Sequence, residues 1–158
     1  MNDIAEKVGK KLKASRAMLV TAESCTGGWV AQAVTSIAGS SDWFERGFIT
    51  YSNDSKQELL GVRSETLARH GAVSEETARE MAQGALERSQ GTLGLAVTGV
   101  AGPGGGSAAK PVGMVCFAWA SKDAVRSETQ HFSGDRESVR EQSVIRALEG
   151  VLEQLAGG

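Results

Sequence analysis

Short apolar runs alternate with amphipathic stretches along the whole chain. Ile4, Val8 and Leu12 recur at i, i+4 and i+8 with lysines between them, which predicts a helix over residues 3–14 capped by Asn2 or Asp3. Residues 17–22 form a compact apolar run and read as a buried strand. A helix over 26–37 follows, broken by Ala38-Gly39-Ser40-Ser41-Asp42. Aromatic and β-branched content makes 47–52 a second strand. Residues 53–61 read as a short helix, with a capping box from Asp54 and Gln57 or from Ser55 and Glu58, ended by Gly61. Residues 62–73 read as irregular or partly helical. Ser74 caps a helix from 75 to about 88, whose Ala78, Met81, Ala82 and Ala85 form a small-residue face suited to lie against a sheet. Residues 92–98 and 114–120 are the third and fourth strands, and weak alternation over 125–132 suggests a fifth near an edge. Ser133-Gly134-Asp135 opens a long last helix with a core stripe of Ile145, Leu148, Val151, Leu152 and Leu155.

Interleaved helices and strands predict an α/β fold, its sheet covered by helices on both faces. Residues 1–158 read as one domain, without repeat, linker or low-complexity segment. Ligands in such folds sit at loops leaving the carboxyl ends of strands. The polar, glycine-bearing loops after Ala22, Tyr51 and Thr98 are therefore expected to converge.

A net charge of −2 gives no electrostatic reason to expect nucleic acid or an anionic membrane as partner. No apolar run approaches a membrane span and the first residues lack a signal-peptide pattern, so a cytoplasmic location is the default expectation. Cys25 and Cys116 lie far apart with no Cys-x-x-Cys unit, which argues against a structural disulfide or zinc site. Neither His70 nor His131 has a metal-ligand partner at helical spacing, so no metal is expected.

The stretch Thr21-Ala22-Glu23-Ser24-Cys25-Thr26-Gly27-Gly28 carries the candidate chemistry. A strand feeding a helix through a turn of small residues leaves backbone N–H groups unpaired at the helix start. Those donors and the positive end of the helix dipole suit an anion or a developing oxyanion. Ser24 and Cys25 sit where a nucleophile would sit, although a plain capped helix start fits the same pattern. The glycine loop 99–107 is no Walker A loop, since no Gly-Lys-Ser/Thr follows it. Gly104-x-Gly106-x-x-Ala109 leads into a strand rather than a helix, unlike a dinucleotide fingerprint. Ser52 and Lys56 miss the Ser-x-x-Lys spacing, and Ser24 lacks the Gly-x-Ser-x-Gly elbow. With histidine unsupported as a base, a lysine remains. Lys56 falls in the first turn of its helix, where the dipole disfavours a cation. Arg136 and Arg140 lie one turn apart on one helix face.

Five blocks, TAESCTGG (21–28), GFITYSNDSK (47–56), GVRSETLARHGAVSEETAREMA (61–82), VTGVAGPGGGS with KPVG (97–113) and FSGDRESVR (132–140), resemble the C-terminal domain of the competence-damage-inducible protein CinA. The resemblance covers nearly the whole chain in order and spacing. It implies a three-layer α/β/α sandwich around a central mixed or mostly parallel sheet. Stand-alone members of this family are nicotinamide-nucleotide amidases, so the resemblance implies hydrolysis of nicotinamide mononucleotide to nicotinate mononucleotide and ammonia, in pyridine nucleotide recycling. Longer relatives carry an N-terminal module resembling a molybdopterin-binding domain. That module, and any pyrophosphatase activity linked to it, are expected to be absent here.

Matched residue by residue, Ser24 would be the nucleophile, Lys56 the base and Tyr51 a supporting or relay hydroxyl. The turn Cys25, Thr26, Gly27 and Gly28 would hold the oxyanion. Thr98, Gly99 and Gly102 would line the pocket, and Arg136 and Arg140 would bind the substrate phosphate. Gly104 stands where some members have Asp. Lys56 must be neutral to act, which costs about 4.6 kcal/mol at pH 7 from an ordinary lysine pKa. No cofactor, nucleic acid or membrane partner is implied, and self-association stays open. Cys25 is the rival nucleophile. Two other functions fit the same residues: a non-catalytic module binding a pyridine nucleotide or other phosphate ligand, and an amidase for another small carboxamide.

Overall fold

The computed structural model describes residues 1–157. Its centre is β1 (Leu19–Glu23), buried along its whole length. Its neighbours are β2 (Phe44–Ile49) and β3 (Leu93–Gly99), both parallel to it. Beyond β3 lie β4 (Met114–Ala120) and β5 (Val125–His131), each antiparallel to its predecessor, giving the order β2-β1-β3-β4-β5. Of the central sheets expected, the mixed one is found.

Helices α1 (Asn2–Ala14), α2 (Trp29–Thr35) and α6 (Arg136–Gly157) cover one face, packing on Leu19, Leu95, Val97, Phe117 and Trp119. The other face carries α3 (Asn53–Leu60), α4 (Ser64–His70) and α5 (Glu75–Glu87), packed on Val20, Ala22, Ala96 and Ala118. The small face of α5 lets it lie close: Ala78, Met81, Ala82 and Ala85 are fully buried. A Cβ on Gly84 would collide with the Leu60 carbonyl, so this glycine sets how near α5 and α3 approach. On the opposite face the Trp119 ring stacks near-parallel to Phe117, and its Nε1 donates to Ala147 O at 2.9 Å.

Several boundaries move from the sequence expectation. Strand β2 starts earlier, at Phe44, because its ladder with β1 runs from Leu19 opposite Phe44 to Glu23 opposite Ile49. Helix α2 starts at Trp29 rather than residue 26, because Gly27 (φ 60°) and Gly28 (φ 104°) adopt the left-handed region that side-chain-bearing residues avoid. Met1 O already accepts from Ala5 N, so α1 begins upstream of the expected Asn2 or Asp3 cap, and no side chain caps it. Ser52, not Asp54 or Ser55, caps α3, its Oγ accepting from Ser55 N. The stretch 62–73 contains α4. On α6 the buried stripe runs through Val139, Val144, Ala147, Leu148 and Val151, with Ile145 only half-buried. Ser74, Asp135 and Gly61 cap as expected.

Candidate active site

The chain leaves β1 towards β2 on one side and later returns to β3 on the other. Strand order therefore reverses beside β1, and crevices at the carboxyl ends of strands open at such points. Ser24 is the residue that follows β1 there. Its N–H donates to Val97 O of β3 at 3.0 Å, so the strand pairing continues one step past the strand.

Glu23 fixes the turn beyond Ser24. Its buried carboxylate accepts from Thr26 Oγ1 at 2.5 Å, Val30 N at 2.9 Å and Ala31 N at 3.0 Å. These are the free donors of the first turn of α2. The positive end of α2, expected to serve an oxyanion, is thus occupied by this side chain, and so is the Thr26 hydroxyl. Within the turn, Gly27 N donates to Ser24 O and Trp29 N to Thr26 O, each at 3.1 Å. Among the described residues, none accepts from the N–H of Cys25 or Thr26.

Lys56 comes from the other side of the crevice. Its Nζ lies 2.9 Å from Ser24 Oγ, 2.9 Å from Thr50 O and 3.1 Å from Tyr51 O. The side chain is 1% exposed and, among the described residues, has no carboxylate partner, and burial pulls its pKa below the ordinary lysine value. A neutral amine has two N–H groups and one lone pair. When the two N–H groups of that form serve the two carbonyls, its lone pair is left for the Ser24 hydroxyl. That is the arrangement of a base beside a nucleophile.

The remaining expected residues sit as follows. Cys25 is buried, and burial pushes its thiol up to about 12, so it stays protonated at neutral pH. Tyr51 touches Lys56 and Ser24 through its backbone carbonyl; its side chain is 65% exposed, with the hydroxyl accepting from Arg136 Nη2 at 3.4 Å. Thr98 lies in register beside Ser24, but its Oγ1 donates to Ala72 O at 2.9 Å and reaches neither Ser24 nor Lys56. Packing accounts for three of the loop glycines: a Cβ on Gly99 would stand 2.7 Å from Val115 Cγ2, one on Gly106 2.8 Å from Val112 N, and one on Gly102 would collide with Val112 Cγ1. Gly104 faces open space. Gly102 O accepts from Arg136 Nη1 at 2.7 Å, tying that loop to α6. Arg140 donates from Nε to Cys25 O and from Nη2 to Thr26 O, both at 3.1 Å. The two arginines thus diverge: Arg136 is exposed at the crevice rim, whereas Arg140 is half-buried under the Ser24 turn.

Sequence reading passed over Glu23 and Thr50. Glu23 had a signal, a carboxylate at the end of an apolar strand that feeds a helix start with unpaired N–H groups, the ones it takes lying seven and eight residues on. Thr50 acts through its carbonyl, which no residue type announces. Among the described residues, no group of three or more His, Cys, Asp and Glu side chains is placed to share a metal ion, and no helix is long and apolar enough to cross a membrane.

Fold and crevice together define a three-layer α/β domain with a buried serine–lysine pair where its strand order reverses. The chain belongs to the CinA C-terminal domain family, whose model matches residues 1–155. It is 53% identical to nicotinamide-nucleotide amidohydrolase PncC of Escherichia coli strain K12, over 96% of this chain and 92% of that protein. It is 49% identical to the PncC protein of Pseudomonas putida, over 95% and 94%. Among solved structures, competence/damage inducible protein CihA from Agrobacterium tumefaciens superposes with a TM-score of 0.94 at 46% identity, covering 98% of this chain and 94% of that one. A CinA superfamily protein from Klebsiella pneumoniae reaches 0.96 at 38% identity, covering 99% and 98%.

Proposed function

We propose that this chain, as one amidase domain over residues 1–158, hydrolyses the carboxamide of nicotinamide mononucleotide to nicotinate mononucleotide and ammonia. The observation that carries the reading is the 2.9 Å approach of the buried Lys56 amine to the Ser24 hydroxyl. The names of the PncC relatives support the substrate.

Ser24 Oγ attacks the carboxamide carbon while its proton passes to the Lys56 lone pair. The tetrahedral oxyanion is held by the unpaired N–H groups of the Cys25–Thr26 turn; losing one such donor typically costs about 3–4 kcal/mol in barrier. Lys56 returns the proton to the departing nitrogen, and ammonia leaves. Water then attacks the ester and its proton goes to Lys56; as the C–Oγ bond breaks, Lys56 passes that proton to Ser24 Oγ, and the acid product leaves as a carboxylate with its proton released to solvent. Tyr51 contributes its carbonyl to orienting Lys56 and its hydroxyl to the rim. Thr98 and the loop at Gly99 and Gly102 form the wall beside Ser24. Arg136, exposed at the crevice rim with guanidinium N–H groups to spare, takes the substrate phosphate, for which its planar fork is suited. Cys25 stays a thiol and does not compete as nucleophile. We place the enzyme in the cytoplasm, in pyridine nucleotide recycling, without a cofactor.

Incubation with nicotinamide mononucleotide, followed by an ammonia assay and product chromatography, tests the reading. Equimolar ammonia and nicotinate mononucleotide are expected, with none from Ser24→Ala. Binding without ammonia would instead make the chain a ligand-binding module. Faster turnover of a carboxamide lacking the phosphate would make it a different amidase.

A further inference from the structure

Glu23 neutralises the positive end of α2, so the helix dipole is not free to act on an oxyanion at Ser24. A different charge is aimed at the same turn. The Arg140 guanidinium donates to Cys25 O and Thr26 O, and it lies 5.5 Å over the Trp29 ring, which together hold it in place. Cys25 O and Thr26 N belong to one peptide unit. A cation hydrogen-bonded to the oxygen of a peptide withdraws electron density from its nitrogen and makes the N–H a stronger donor. That N–H has no acceptor among the described residues. In a trans peptide the N–H points opposite to the C=O. The Cys25 carbonyl faces the Arg140 side chain, so the Thr26 N–H points away from α6. The Ser24 side chain and Lys56 also lie on the side of the sheet away from α6, where α3 packs. A Cβ on Gly27 would stand 3.6 Å from Arg140 Nη2, an ordinary contact, so it is the left-handed φ of 60°, not the arginine, that favours glycine there.

We propose that Arg140 is a positioning residue that polarises the Cys25–Thr26 peptide for oxyanion binding, and is not a ligand of the substrate phosphate. The inference rests on the amidase reading above. It divides the labour of the two arginines: Arg136 senses the far end of the substrate, Arg140 the reacting carbonyl through one peptide bond. The guanidinium replaces the dipole that Glu23 has spent.

Kinetics and binding separate these roles. For Arg140→Gln, kcat for nicotinamide mononucleotide should fall about 10- to 100-fold, less than deletion of a donor, since the N–H itself remains. KM should stay within about two-fold of wild type. Calorimetric titration of the nucleotide into Ser24→Ala and Ser24→Ala/Arg140→Gln should give equal Kd values, whereas Arg136→Gln in the same background should weaken binding. Arg140→Lys, which keeps the charge but loses one of two hydrogen bonds, should recover part of kcat, and the acid limb of the pH profile should not move in either variant. A loss caused only by loosened packing would lower the melting temperature, shift KM with kcat and gain nothing from lysine, and would overturn the proposal. So would a weakened Kd with kcat retained, or no effect at all. Wild-type protein that binds the nucleotide and releases no ammonia would overturn the amidase reading itself, and that control is read before any variant.

Discussion

Lys56 concentrates the physics of the site in one side chain. It is buried with no counter-ion among the described residues, and the two carbonyls that hold it leave its remaining valence for Ser24. Two pH effects follow from the downward shift of its pKa. The first is catalytic: kcat/KM for ammonia release should rise with pH along a limb centred below the ordinary lysine value, because only the neutral amine accepts the Ser24 proton. A limb centred at or above that value would contradict it. The second is thermodynamic. The unfolded lysine keeps its proton up to pH ~10.4, while the folded one has already released it at lower pH. Between those two pKa values the unfolded chain binds more protons, so stability rises with pH across that window, and the lysine is most costly below it. Urea unfolding at about pH 7 and about pH 9 should show wild type gaining on Lys56→Met as pH rises. Extending the series to about pH 10.4 spans the whole window, and an equal difference at every pH would mean that burial leaves this amine unshifted. At this scale the sequence was partly legible. Lysine in a first helical turn is an anomaly that residue order displays. The roles of Thr50 and Tyr51 run through backbone atoms, which side-chain chemistry does not announce.

The elements owe their positions to a few close approaches. Helix α3 presents Lys56 one turn before Leu60, and the Leu60 carbonyl rests against Gly84 of α5. Alanine is a better helix former than glycine by about 1 kcal/mol, so Gly84→Ala would strengthen α5 on propensity alone. The added methyl has no space, and overpacking of this kind costs typically about 1–3 kcal/mol. Gly84→Ala should lower the melting temperature and lower kcat with it, since α3 must move to admit the methyl. A melting temperature equal to or above wild type would show that the interface yields freely. Element types were readable from periodicity, and their ends less so. Helix α2 starts late because a pair of glycines takes the left-handed region and because Glu23 supplies the cap from inside a strand. A carboxylate that caps the helix after its own strand is visible only once the turn has folded.

At the scale of the molecule, the layers follow from strands that are apolar on both faces, as Leu19 and Val20 of β1 or Val97 and Ala96 of β3 illustrate. The mixture of parallel and antiparallel pairs follows from connection lengths. Parallel neighbours need a long crossover, usually a helix. The four residues 121–124 between β4 and β5 forbid one, and the loop 100–113 contains none. Strand order is different: nothing local in the sequence says that β2 and β3 flank β1, yet that order creates the crevice in which Ser24 and Lys56 meet across 32 residues of sequence. The whole account rests on that meeting. The most direct measurement is kcat of Lys56→Met for ammonia release from nicotinamide mononucleotide, beside wild type. A fall of about 10²- to 10⁴-fold or more, the usual contribution of a positioned base, is expected with the circular dichroism spectrum unchanged. Ammonia released by Lys56→Met at the wild-type rate would contradict the pairing of this amine with the Ser24 hydroxyl.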